Sequence, residues 1–244
     1  MMSATHFSYL IRSRRSVRDF LPAPIPEAVL QSVLLDANQS PSWSNTRPYR
    51  IAMASGAVRD RLAEQLTERF DLGMRAQRKG WLGKLKLLTR QRHVLPDGDF
   101  VTNFAYPEDL QPQRRATGHG LYELLGIGRK DIAAREAQMR RNFEFFGAPT
   151  AIFVFVHSGL REFSVLDAGI FMQSLMLSAH AHGLGTCAQG ALATWAGPVR
   201  RAFDVPMNYK LIAGISVGYA SAHAINQYNP GRAKAADILL AENH

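Results

Sequence analysis

Three arginines and a serine lie within five residues in Arg14-Arg15-Ser16-Val17-Arg18-Asp19-Phe20. Forked guanidinium donors with fixed charge, joined by a short hydroxyl, can wrap one phosphate. The same residues could also form a solvated basic terminus. A second cluster, Ser40-Pro41-Ser42-Trp43-Ser44-Asn45-Thr46-Arg47-Pro48-Tyr49, is a polar, proline-bracketed loop. Its amides and hydroxyls could face a heteroaromatic ring, with Asn45 both donating and accepting; an ordinary turn has the same composition. The third cluster runs from Gly183 to Ala191 (GLGTCAQGA), where glycines would let backbone approach a flat ligand. The fourth, Asn226 to Lys234, offers Arg232 after the last predicted strand.

Other chemistries find no support. There is no G-x-G-x-x-G fingerprint, no G-x-x-x-x-G-K-[ST] loop and no H-E-x-x-H pair. His180 and His182 stand two apart and point to different helix faces, so no metal site is expected. Cys187 is the single cysteine, which excludes an intramolecular disulfide and reads as a small buried thiol. No side chain is expected to act as a catalytic acid or nucleophile.

These clusters need elements to hold them. Glu27 to Asn38 has helical apolar spacing. Tyr49 to Ala54 reads as a short strand and Val58 to Phe70 as a polar helix. Thr150 to Val156 and Leu211 to Tyr219 read as buried strands. Ser164 to His182 is a helix apolar enough to be buried on more than one face. Strands and helices without a strict βαβ repeat predict an α+β fold.

Charge is unevenly placed. The 244 residues carry 29 Lys+Arg against 20 Asp+Glu, a net +9. Residues 69–92 hold eight basic side chains against Asp71 alone, so +7 of that excess lies in one window. On a single helix, Met74, Trp81, Leu85 and Leu88 would share one side and Lys79, Lys86 and Arg90 the other. A solvated surface helix, a lid over a site and a membrane- or nucleic-acid-binding stripe all fit this pattern. The 46% hydrophobic content excludes a largely disordered chain. No apolar run suits a signal peptide or a transmembrane helix, so a cytoplasmic protein is expected.

In this order and spacing the four clusters resemble the FMN-dependent nitroreductase family. Arg14 to Phe20 looks like its opening phosphate motif, and Pro41 to Tyr49 like its P-S-x-x-N-x-Q-P-W loop. Gly183 to Ala191 looks like its G-L-G-T-C-x-x-G segment, and Gly214 to Ala220 like its G-I-S-L-G-Y-A strand. Arg140 to Pro149 resembles the branch containing nitrobenzoate reductases. The resemblance implies one nitroreductase-like domain over residues 1–244, with a central mixed sheet surrounded by helices, in an intertwined homodimer. A basic excursion at 69–118 would lie near the active site.

It further implies FMN held by Arg14, Arg15, Ser16, Arg18 and Arg232, with Gln189 and Gly190 presenting backbone to the ring. Pro41, Ser42, Trp43, Asn45 and Arg47 would come from the other subunit. NAD(P)H would be the co-substrate and a nitroaromatic, a nitrobenzoate among the candidates, the acceptor in a ping-pong cycle. Quinone or enone reduction and reductive dehalogenation are the alternatives on this scaffold; a non-enzymatic nucleic-acid- or membrane-binding protein is the remote one. No nucleic acid or membrane partner is expected. Arg47 and Tyr49 depart from the family's usual Gln and Trp, and Asn229 stands where many relatives carry a second basic residue.

Overall fold

The computed structural model describes residues 3–242. In chain order it contains α1 (Ala4–Ser13), α2 (Glu27–Ala37), β1 (Tyr49–Ser55), α3 (Gly56–Arg78), α4 (Gly80–Arg90), α5 (Gln111–Leu124), α6 (Ile132–Arg140), β2 (Thr150–His157), α7 (Arg161–Ala181), β3 (Gly185–Gln189), α8 (Ala196–Ala202) and β4 (Tyr209–Gly218). The strands form one sheet in the order β1-β2-β4-β3. Its named strands pair antiparallel throughout. The parallel component of the expected mixed sheet is a single bridge between Ser16 and Thr186.

The sheet is covered on both faces. Ile152, Val154 and Val156 of β2 pack with Val33 and Ala37 of α2 and with Phe171, Leu175 and Ala179 of α7. The alternate residues Ala151, Phe153 and Phe155 face Leu62, Leu66 and Phe70 of α3 and Val199 of α8. A strand buried on both faces has no polar side to show, which is why TAIFVFV reads as continuous hydrophobic sequence.

Three expectations need correction. The basic window does not form one helix. The chain breaks at Lys79, and α4 folds back on α3 so closely that a Cβ on Gly83 would lie 2.0 Å from the Ala76 carbonyl oxygen. Met74 therefore packs against the core, while Trp81, Leu85 and Leu88 are exposed on α4. Arg69 is not a surface charge either. It is buried, and its Nε donates to the His93 carbonyl oxygen at 2.7 Å. Helix α7 buries one face; Leu166 on the other, and Phe163 and Val165 at its margins, are exposed. Among the described residues no helix is long and apolar enough to cross a membrane.

Candidate functional site

After α1 the chain runs beside β3 as a pinned extended segment. The Val17 N–H donates to the Thr186 carbonyl oxygen at 2.9 Å, and the Leu21 N–H to that of Tyr219 at 2.8 Å. Asn226, buried, clamps the segment from the other side. Its Oδ1 accepts the N–H groups of Arg18 at 2.8 Å and Asp19 at 3.2 Å. Its Nδ2 donates to the carbonyl oxygens of Asp19 at 2.8 Å and Ser221 at 3.0 Å. Asp19 accepts hydrogen bonds from Ser221 and, at 2.7 Å, from Arg141. Burial opposes ionisation of Asp19, but these two donors outweigh it and hold its carboxyl below the usual range.

This clamp concentrates positive charge. Arg14, Arg15 and Arg18 are partly buried and Arg232 is exposed nearby. Among the described residues none of the four has a carboxylate partner. Arg15 and Arg18 donate only to backbone carbonyls of the same segment, such as Arg12 at 2.6 Å and Ser16 at 3.2 Å. Burial first, then repulsion from Arg232 and Arg15, lowers the pKa of Arg14. A partly buried cation beside like charges is costly without an anion. Arg14 and Arg15 also line a cavity of about 290 Å³ with Ser13, His180, Thr186 and Asn226. The Thr186 hydroxyl, fully buried, has no hydrogen-bond partner among the described residues.

The glycine cluster divides into three roles. Gly183 turns the chain out of α7 at φ +77°. Gly185 meets Val17, whose Cγ2 would lie 2.5 Å from an added Cβ, so its smallness serves packing rather than a ligand. Gly190 faces open space without a left-handed φ, with nothing within 4 Å of such a Cβ; Gly183 is equally open but is claimed by its turn. The preceding Gln189 is locked inward. Its Nε2 donates to the Asn142 carbonyl oxygen at 2.9 Å, and its Oε1 accepts from Ser216 Oγ at 2.5 Å. Gln189 therefore has no free side-chain group to offer, and the backbone at Gly190 is what this turn exposes.

The proline-bracketed loop lies elsewhere. It rests on the N-terminal half of α7, where the Trp43 N–H donates to Asp167 Oδ2 at 3.0 Å and the indole packs against Phe163 at a tilt of 48° with centroids 4.3 Å apart. Ser42 Oγ accepts the Arg47 N–H at 2.9 Å. Trp43, Asn45 and Arg47 are exposed. The arginine segment instead meets the far end of α7, through Ser13 Oγ and His180 Nε2 at 2.8 Å. Thirteen helical residues separate Asp167 from His180, about 20 Å along the axis. The chain thus gathers Arg14, Arg15, Ser16, Arg18 and Arg232 but holds Pro41, Ser42, Trp43, Asn45 and Arg47 apart from them.

The histidines are occupied structurally: His180 by Ser13, and His182 Nδ1 by the Ser178 carbonyl at 2.9 Å. No metal-binding group of side chains occurs among the described residues. Burial pushes the Cys187 thiol up to about 11, against the opposing pull of Arg18 and Arg14. The native thiol is expected to ignore a disulfide reagent at pH 8 and to react at once in denaturant. Its preference for the neutral form supports folding below pH 9.0 and is lost between there and about 11. Native labelling at the denatured rate would show the thiol to be accessible.

Asp167, Asn226 and Arg141 are the working residues that sequence reasoning did not place. Each acts on a segment far away in sequence. The single sign available was Asp19, a carboxylate inside the arginine motif that needed a partner.

Comparison with known proteins gives a consistent picture. A family profile described as "Nitroreductase family" matches residues 11–219. The chain is 34% identical over 212 residues to nitroreductase NfnB of Mycolicibacterium smegmatis, covering 86% of this chain and 81% of that protein. It is 31% identical over 217 residues to a 4-nitrobenzoate reductase of Nocardioides sp. (strain LMS-CY), covering 88% and 81%. The crystal structure of the FMN-dependent nitroreductase NfnB from Mycobacterium smegmatis in complex with NADPH superposes with a TM-score of 0.83 at 32% identity, covering 98% of this chain and 99% of that one.

Proposed function

Because the chain belongs to the nitroreductase family, we propose that it is an FMN-dependent oxidoreductase that uses NAD(P)H to reduce nitroaromatic compounds, nitrobenzoates among them. The observation that carries this reading is the uncompensated cluster of Arg14, Arg15, Arg18 and Arg232 in a strand-pinned segment bridged to Thr186 of β3, the strand that ends at the open Gly190 turn. The residues fit the cofactor. A phosphate dianion supplies the counter-charge that the guanidinium groups lack, Ser16 and the unpartnered Thr186 hydroxyl add polar groups, and Gly190 leaves room for a flat ring. When bound, FMN supplies two-electron redox chemistry between a nicotinamide and a nitro group. The chain's part is to bind, orient and exclude water. No side chain is assigned a covalent or acid-base role.

The second half of the site comes from another copy of the chain. Pro41, Ser42, Trp43, Asn45 and Arg47 cannot serve the arginine cluster of their own protomer across about 20 Å of helix. The exposed apolar face of α7 gives a homodimer a surface to bury. The chain forms one domain, with the excursion at 69–118 returning close to the site. Val94 accepts the Trp195 indole N–H at 3.0 Å, just beyond the Gly190 turn, and Tyr228 donates to the Thr117 carbonyl at 3.0 Å, just before Arg232. A cytoplasmic location fits the requirement for NAD(P)H.

The test is an anaerobic assay of flavin reoxidation by 4-nitrobenzoate, a quinone and a halophenol. The nitro compound is expected to react fastest; a faster quinone or halophenol would move the activity to that class. Replacing Lys84, Lys86 and Arg90 by glutamine is expected to raise the KM for nitrobenzoate about tenfold more than that for nitrobenzene. Equal changes would leave α4 no role in attracting anionic substrates.

A further inference from the structure

We infer that Asp167 is a positioning residue that fixes the 41–47 loop in the shape a second subunit's flavin requires; this rests on the proposed contact between that loop and the flavin. The loop is strained. Ser44, Asn45 and Arg47 have φ of 48°, 56° and 47°, a left-handed region that disfavours residues with a Cβ. Three such residues within four persist only where the surroundings hold them.

Most of the loop's hydrogen bonds close on the loop itself. The Asn45 N–H donates to the Ser42 carbonyl oxygen at 2.9 Å and the Thr46 N–H to that of Trp43 at 3.0 Å. The Thr46 hydroxyl also donates to Trp43, at 2.8 Å. These bonds help to shape the turn but do not hold it against the body of the protein. Apart from a long contact of the Arg50 guanidinium with the Arg47 carbonyl oxygen at 3.4 Å, the hydrogen bond that fastens residues 41–47 to the body of the fold, among the described residues, is the one from Trp43 N–H to Asp167.

Helix geometry explains the pairing of anchors. Phe163 and Asp167 stand four residues apart on α7, so they share a face and grip the ring and the backbone of the same tryptophan. Asp167 is 3% exposed. A buried carboxylate accepting a backbone N–H is a strong and directional tether, and burial leaves it little competition from water. Asn45 and Arg47 project into solvent from this tethered turn. Losing the tether would relax the left-handed residues and move both side chains.

The experiment compares Asp167→Ala, Asp167→Asn and Asn45→Ala. The dissociation constant of FMN from apoprotein is read by flavin fluorescence quenching. Visible circular dichroism of the bound flavin and thermal melting of the apoprotein complete the set. Asp167→Ala is expected to weaken FMN about tenfold and to alter the visible dichroism. Asp167→Asn keeps an oxygen acceptor for the Trp43 N–H and should stay within about threefold of wild type. If Asn45→Ala weakens FMN while Asp167→Ala does not, the positioning role is overturned. If Asn45→Ala leaves affinity and dichroism unchanged, the loop does not meet the flavin, and the underlying reading fails instead. Should Asp167→Ala not fold, Asp167→Asn decides: affinity lost well beyond threefold, with an unchanged melt, would overturn the inference.

Discussion

Protein in which Arg14 and Arg232 are both replaced by alanine is expected to purify colourless, with FMN affinity lowered at least about a hundredfold. Each charge-assisted hydrogen bond to a phosphate is worth about 1.5–3 kcal/mol, and two are removed. The single changes should not be equal. Arg14 is partly buried and Arg232 exposed, so Arg14→Ala should cost more. The apoprotein should respond in the opposite direction. Arg14 is disfavoured by burial and by its arginine neighbours, so removing it relieves repulsion in the absence of the anion. Apo Arg14→Ala is therefore expected to melt no lower than wild type while binding flavin poorly. Full flavin retention in both single variants would sink the phosphate assignment.

Gly185→Ala should be nearly as damaging, for a different reason. A Cβ at this position would lie 2.5 Å from Val17 Cγ2 and 3.0 Å from Val17 Cβ. Overpacking of this kind costs about 1–3 kcal/mol. The strain falls on the segment that carries the arginines, because Val17 is bonded to Thr186 beside the added methyl group. Flavin affinity should drop together with the melting temperature. Val17→Ala in the same chain should restore much of both, since it opens the space the methyl group needs. A double variant no better than Gly185→Ala alone would show that the two residues are not coupled.

Much of the fold was legible because its strands are buried on both faces. Thr150 to Val156 and Leu211 to Tyr219 stood out as apolar, β-branched runs and proved to be the central strands, β2 and β4. The strand Gly185–Gln189 did not. Five residues with a glycine and no alternation carry little strand signal, and its pairing with β4 is a property of the tertiary fold. The basic window misled in another way. Charge counting cannot distinguish Arg69, buried against a backbone carbonyl, from Lys84 in solvent. The arginine cluster was legible because its members are adjacent in sequence. Its clamps were not, since Asn226 and Arg141 reach it from more than a hundred residues away. Asp167 is one polar residue in an apolar helix, and the strained turn that explains it leaves no mark in composition.

The length of α7 carries a consequence for how the protein would behave on dilution. Its two ends hold complementary halves of the proposed cofactor site, with no path between them inside one chain. Flavin retention and subunit association then share one free energy, by mass action. Diluting the holoprotein should release coloured cofactor as well as separate the chains, and added FMN should draw monomers together. In the proposed homodimer, the helix that separates the halves would make the cofactor itself a reporter of assembly.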